Sequence, residues 1–338
     1  MGGLLFLGLG LHGQRLDKAW KANATALLRS DSLRPFNGKV LIAKGGKTLF
    51  SYESGHADMI AKTPFPKHGV FVIGSVTKQM TAVMVLQAVD QKLLDLHTPI
   101  RKYLHDIAQP WMDTVTIHHL LNHTSGYQGR DTSLAFAPGS RFSYSNQAYG
   151  LLGEILEAVR GKSFAAIAEE LFQKSGMKHT TTPPKLVGQA MPKGYFHSET
   201  GEIQFSTNTT LGIPGPAGLV LSTPEDLVHW NQLLHIERSL LSAESYALMT
   251  SPSSKRNHPI FGEIDYGYGI QMTNVDGLRE LSHGGYAPGF VTVNFFYPET
   301  GVSLIVMENL DWKDPAFKDS YSYEMALRKR LRAAFAPK

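Results

Sequence analysis

Two hairpin patterns near opposite ends of the chain constrain its fold most. Val40-Leu-Ile-Ala43 and Thr48-Leu-Phe50 flank Gly45-Gly46, while apolar runs at 291–297 and 302–307 flank Pro298-Glu-Thr-Gly301. Each is a pair of short β-branched or aromatic runs broken by turn residues, as in antiparallel hairpins. A further strand is expected at 268–272. Between them, from Val76 to about Lys178, apolar spacing is helical at 80–89, 117–121, 148–159 and 164–172, with Gly and Pro loops in between. Helices are also expected at 16–28, at 322–334 and at 225–234, the last opened by Ser222-Thr-Pro-Glu225 as a capping box. Strands at both ends bury their faces most simply in one shared sheet. The expected class is α+β: an antiparallel β-sheet flanked by terminal helices, with an inserted mostly helical domain. Residues 16–75 and 215–338 would form the sheet domain and 76–214 the helical one, with the active site in the cleft between them.

With 338 residues, 42% of them hydrophobic, the chain can bury a sizeable core. It has no cysteine, which excludes disulfides, thiol nucleophiles and Cys-ligated zinc. The net charge of +4 is scattered, so nucleic acid is not expected as a partner. The one basic run, Arg328-Lys329-Arg330 with Arg332, reads as the solvated face of the last helix. The apolar run at 4–11 is too short to span a bilayer. It resembles the core of a secretory signal within residues 1–15, so a periplasmic or secreted location is expected.

Several motifs imitate other chemistries. Gly8-Leu-Gly10-Leu-His-Gly13 matches a dinucleotide fingerprint, but no acid closes the next strand and strand–helix alternation does not continue. Gly46-Lys47-Thr48 lacks the first P-loop glycine. His119 and His123 have zincin spacing, yet Leu120 stands where that chemistry needs Glu, so packing or capping is expected of both. No Gly-x-Ser-x-Gly elbow occurs.

Phe71-Val-Ile-Gly74-Ser75-Val76-Thr77-Lys78 places a serine between a short apolar strand and an apolar helix. Helix starts favour developing negative charge. Lys78 falls on the same face one turn on, where its amine can reach the Ser75 hydroxyl and, if desolvated, accept its proton. A second Ser-x-x-Lys, Ser175-Gly-Met-Lys178, reads instead as a helix C-terminal boundary. Tyr144 and Asn146 precede the helix expected from about Ala148. A cationic lysine near Tyr144 would lower the phenol's pKa and suit it to act as a base. Leu281-Ser-His283-Gly284-Gly285-Tyr286 precedes the C-terminal hairpin, and its glycines allow close approach to a strand backbone.

Together, Ser75-x-x-Lys78, Tyr144-x-Asn146 and His283-x-Gly285 resemble the three motifs of the serine β-lactamase and penicillin-binding superfamily. The tyrosine in the second points to its class C-like branch, which includes D,D-carboxypeptidases, D-aminopeptidases and family VIII carboxylesterases. Thr116-Ile-His-His-Leu-Leu-Asn-His123-Thr-Ser-Gly126 and Ala217-Gly-Leu-Val-Leu-Ser-Thr-Pro-Glu-Asp226 are similar to that branch too, and the match covers about residues 36–310. The resemblance implies a β-lactamase/transpeptidase-like fold and a serine hydrolase needing neither metal nor cofactor. Ser75 would attack an ester or amide carbonyl of a small molecule or peptide, with Lys78 and Tyr144 taking its proton. The backbone N–H groups of Ser75 and Tyr286 would hold the oxyanion, and Asn146, His283, Gly284 and Gly285 would line the substrate site. His283 stands where many β-lactamases of this branch carry lysine, which favours an esterase or a peptidase acting on D-amino-acid or cell-wall substrates. The alternative is a penicillin-binding receptor that is acylated without turnover.

Overall fold

The computed structural model describes residues 16–30, 34–183, 192–198, 200–206, 213–312 and 319–336. The signal segment expected at 1–15 and the Gly8–Gly13 glycine motif lie outside them. In chain order the helices are α1 (Lys18–Arg29), α2 (Thr77–Asp90), α3 (Ile117–Leu121), α4 (Asn146–Arg160), α5 (Phe164–Lys174), α6 (Gly215–Gly218), α7 (Pro224–Asn231), α8 (Ala243–Met249) and α9 (Ser322–Phe335). The strands are β1 (Gly38–Lys44), β2 (Lys47–Ser54), β3 (Phe71–Val72), β4 (Tyr195–His197), β5 (Ile203–Phe205), β6 (Leu221–Ser222) and β7 (Ser254–His258), followed by β8 (Gly262–Tyr266), β9 (Gln271–Val275), β10 (Leu278–Ala287), β11 (Phe290–Tyr297), β12 (Val302–Glu308) and β13 (Leu310–Trp312).

Both expected hairpins form and share one sheet. The order is β2-β1-β12-β11-β10-β9-β8-β7, with antiparallel neighbours throughout, so the N-terminal hairpin docks on the C-terminal one. Strand alternation then gives the sheet two buried faces. Val291, Val293, Phe295, Leu304 and Val306 face α1 and α9, whereas Phe290, Phe296, Ile305 and Met307 join the core shared with α2 to α5. Within the segment expected to be mainly helical, β4 and β5 form a small sheet in which β4 runs parallel to β13. No helix among the described residues is long and apolar enough to cross a membrane.

α2 is buried along nearly its whole length, including Thr77, Lys78, Gln79 and Thr81. A helix buried on all sides must give its polar residues partners. Thr81 donates to the Pro216 carbonyl at 2.7 Å and Thr77 accepts from Val220 N–H at 3.2 Å, and these bonds fasten the 216–220 segment to α2.

Three expectations need adjustment. The cap of α7 is one residue later than the sequence suggests, since Thr223 accepts from Asp226 N–H. Strand β9 begins at Gln271, because Gly269 turns the chain with φ +67° just before it. Arg328 is not solvated: it is buried and bonds Glu280 at 2.8 Å through two nitrogens, so only Lys329 and Arg330 of that run are exposed. Two of the lookalikes behave as read. His119 completes a capping box with Thr116, and Ser175 closes α5 ahead of Gly176 at φ +67°.

Candidate active site

After β3 the chain passes through Gly74 at φ +51°, makes one tight turn over Gly74–Val76, and enters α2. The turn presses against β10 so closely that a Cβ on Gly74 would lie 2.5 Å from the Tyr286 backbone nitrogen. A Cβ on Gly285 would lie 2.0 Å from the Ile73 carbonyl oxygen and 3.3 Å from Ser75 N. Glycine at both positions is what lets a sheet strand run directly beside the serine. The Tyr321 hydroxyl holds that strand by donating to the Gly285 carbonyl at 2.9 Å.

Lys78 Nζ lies 3.1 Å from Ser75 Oγ, 2.8 Å from Asn146 Oδ1 and 2.8 Å from the Ala217 carbonyl. The side chain is fully buried. Burial, then repulsion from Arg256, holds the amine well below its ordinary pKa of 10.5. An uncharged amine has two N–H bonds and one lone pair. The Asn146 and Ala217 oxygens only accept, so they take the two N–H bonds and leave the lone pair facing the Ser75 hydroxyl.

Ser145 caps α4 by accepting from Ala148 N–H at 3.0 Å, which sets Tyr144 and Asn146 on either side of the cap and turns both toward Lys78. The Tyr144 ring lies under Lys78 Nζ at 4.8 Å, and its phenol shares a hydrogen bond with Ser75. The expected lowering of the phenol's pKa does not occur. Burial pushes it up to about 12, and the Ser75 bond and Arg256 offset this only in part. The physical reason is that the same burial discharges the lysine that was to supply the positive charge.

His283 and Gly285 alternate onto the face of β10 toward Ser75. His283 Nδ1–H donates to the Gly284 carbonyl at 2.6 Å, so Nε2 accepts from the Tyr266 hydroxyl at 2.9 Å. The Tyr266 oxygen in turn accepts from His123 Nε2–H at 3.2 Å, and His123 Nδ1 accepts from Ser145 N–H at 3.2 Å. This line of bonds runs from the third motif to the second and fixes both imidazole tautomers. Burial, first of all, holds both histidines well below 6.5. Gly284 and Tyr286 also line the cleft beside Ser75: a Cβ on Gly284 would meet Phe261, and the Tyr286 phenol bonds Asp311 while its backbone lies beside Gly74.

The structure thus brings together Ser75, Lys78, Tyr144, Asn146, His283, Gly285 and the Tyr286 backbone. Of the expected site residues, Ser75, Tyr144, Asn146, His283, Gly284 and Tyr286 line a cavity of about 370 Å³. Sequence reading missed the Ala217 carbonyl, the linking role of Tyr266 and His123, and the cavity residues Arg256 and His258. The similarity of the His123 and Ala217 segments to the class C-like branch was a usable signal for two of these. Arg256 and His258, on a short polar strand, gave none.

Compared with known proteins, residues 36–325 match the Beta-lactamase family. The chain is 30% identical over 337 residues to a penicillin-binding protein of Bacillus subtilis, covering 87% of this chain and 71% of that one. It is 25% identical to a D-aminopeptidase of Gluconobacter oxydans, covering 80% of this chain but only 55% of the relative's length. A solved penicillin-binding protein from Bacillus halodurans superposes with a TM-score of 0.74 at 27% identity, covering 86% of this chain and 96% of that one.

Proposed function

The chain belongs to the Beta-lactamase family and is a serine hydrolase of that superfamily, and from this premise we propose that it cleaves esters or amides through an acyl-enzyme on Ser75. The observation that carries the reading is Lys78: a buried amine 3.1 Å from Ser75 Oγ whose other two close partners accept only. Lys78 takes the Ser75 proton as the hydroxyl oxygen bonds to the carbonyl carbon. The Ser75 and Tyr286 N–H groups hold the resulting oxyanion, a role supported by the close packing of Gly74 against β10. Tyr144, protonated at neutral pH, passes a proton to the leaving oxygen or nitrogen and recovers it from the water that releases the acyl group. Asn146 orients Lys78.

The preferred substrates are D-amino-acid or cell-wall-type esters and amides, with β-lactams poor, because the uncharged His283 stands where a lysine would supply positive charge. A periplasmic or secreted location fits such substrates. The test is a panel of 4-nitrophenyl esters, D-amino-acid amides, D-Ala-D-Ala peptides and nitrocefin with the wild type and Ser75→Ala, together with intact-mass spectrometry after penicillin exposure. The reading expects Ser75-dependent turnover that is fastest on an ester or amide. A lasting penicillin adduct without turnover of any substrate would make the protein a receptor instead, and full activity in Ser75→Ala would refute the nucleophile.

A further inference from the structure

We infer that Tyr321 is a positioning residue for the oxyanion site: its hydroxyl fixes and polarises the Gly285–Tyr286 peptide and so strengthens the Tyr286 N–H as a donor to the oxyanion. The inference rests on Ser75 being the nucleophile and adds to that reading a residue 36 positions beyond the third motif.

Geometry comes first. The Gly285 carbonyl and the Tyr286 N–H belong to one trans peptide, so they point in opposite directions from a single plane. The N–H side faces the nucleophile: a Cβ on Gly74 would lie 2.5 Å from Tyr286 N, and one on Gly285 would lie 3.3 Å from Ser75 N. The carbonyl side receives the Tyr321 hydroxyl at 2.9 Å. Beyond Ser282, β10 keeps β11 on one side but no longer has β9 on the other. A strand paired along one edge tilts more easily, and Tyr321 restrains the peptide whose tilt aims the donor.

The hydroxyl is itself held in place. Tyr321 is buried, and the Phe261 ring meets its ring edge-on at 5.7 Å. The preceding residue, Ser320, donates to Asp311 at 2.7 Å, and Asp311 bonds the Tyr286 phenol. Ser320 and Tyr321 thus grip both the side chain and the peptide of the same donor residue. Tyr321 occupies the N-cap of α9 yet makes no side-chain bond there, so its polar group serves β10 and not its own helix. Burial holds the phenol well above its ordinary value of 10, which keeps it a donor at neutral pH.

Chemistry comes second. A carbonyl that accepts a hydrogen bond draws charge from its amide nitrogen, and the N–H becomes a stronger donor. The gain is greatest where negative charge is greatest, on the tetrahedral oxygen formed in both acylation and release.

The test compares 4-nitrophenyl acetate with its thiono analogue, whose sulfur replaces the carbonyl oxygen and accepts hydrogen bonds poorly. We expect Tyr321→Phe to lower kcat and kcat/KM for the oxygen ester about tenfold with KM little changed, and to lower thionoester turnover by no more than about threefold. Wild-type rates in this variant would overturn the inference, and so would equal losses on the two esters, which would mean that the side chain only shapes the pocket. Tyr321→3-fluorotyrosine keeps the ring and makes the hydroxyl a stronger donor, so it serves even if the phenylalanine variant folds poorly. It should raise the ratio of ester to thionoester turnover above that of the wild type, and an unchanged or lower ratio would refute the role. Ser75→Ala on the same oxygen ester reports separately on the nucleophile: activity retained there would remove the premise, whatever Tyr321 does.

Discussion

The two faces of the large sheet both bury basic side chains, and they treat them in opposite ways. On the face toward α1 and α9, Arg34 bonds Glu308 at 2.7 Å and Arg328 bonds Glu280 at 2.8 Å, so both guanidiniums are held above their ordinary values despite burial. On the face toward α2, Lys78, His123 and His283 bond only carbonyl, amide and hydroxyl groups, and burial drives each toward its uncharged form. The difference teaches that burial alone does not set a group's role. An adjacent carboxylate keeps a buried cation ionised and structural, and the lack of one turns a lysine into a base.

The largest expected contrast lies between nucleophile and ion pair. Ser75→Ala should cut ester turnover by about 10⁴-fold or more, roughly 5 kcal/mol of barrier, while leaving Tm unchanged. Arg34→Met should do the reverse, costing about 3–5 kcal/mol in urea unfolding by stranding Glu308, with Ser75-dependent kcat retained in the protein that folds. Lys78→Met sharpens the comparison, since losing the base should cost about 10²–10⁴-fold in kcat without lowering stability at pH 7, where the folded site holds an amine that unfolding would charge. A large stability loss in Lys78→Met would mean that the amine is a paired cation after all.

Smaller effects follow from pH. Unfolded histidines take up protons near 6.5 and the buried His123 and His283 only well below it, so unfolding binds protons and stability falls as pH drops below that value. Each such imidazole contributes a slope of at most about 1.4 kcal/mol per pH unit. His283→Asn should flatten the stability profile between pH 7 and 5, measured by urea unfolding at each pH. An unchanged slope would show that the imidazole is charged in the fold.

Much of this was readable beforehand because its signals are local. Ser75 and Lys78 are one helical turn apart, and Tyr144 and Asn146 straddle a cap, so short strings predict their mutual placement. Both hairpins carry their own turn residues, which is why the single sheet was visible from its two ends. What escaped depends on long-range register. Arg256 faces the cleft only because β7 pairs with β8 one way and not one residue over, and Ala217 reaches Lys78 through a segment tied to α2 by Thr77 and Thr81. Arg328 misled for the same reason: its partner Glu280 lies 48 positions away on a strand. The phenol of Tyr144 was misjudged because burial acts on every group in the site at once, which no motif encodes.

The most direct test is the titration of Lys78 itself, followed by NMR of lysine labelled at Cε and assigned with Lys78→Met. The account predicts a midpoint well below the ordinary lysine value of 10.5, coinciding with the rising limb of kcat/KM against pH. A Lys78 signal that titrates with the surface lysines, near ~10.4, would contradict it.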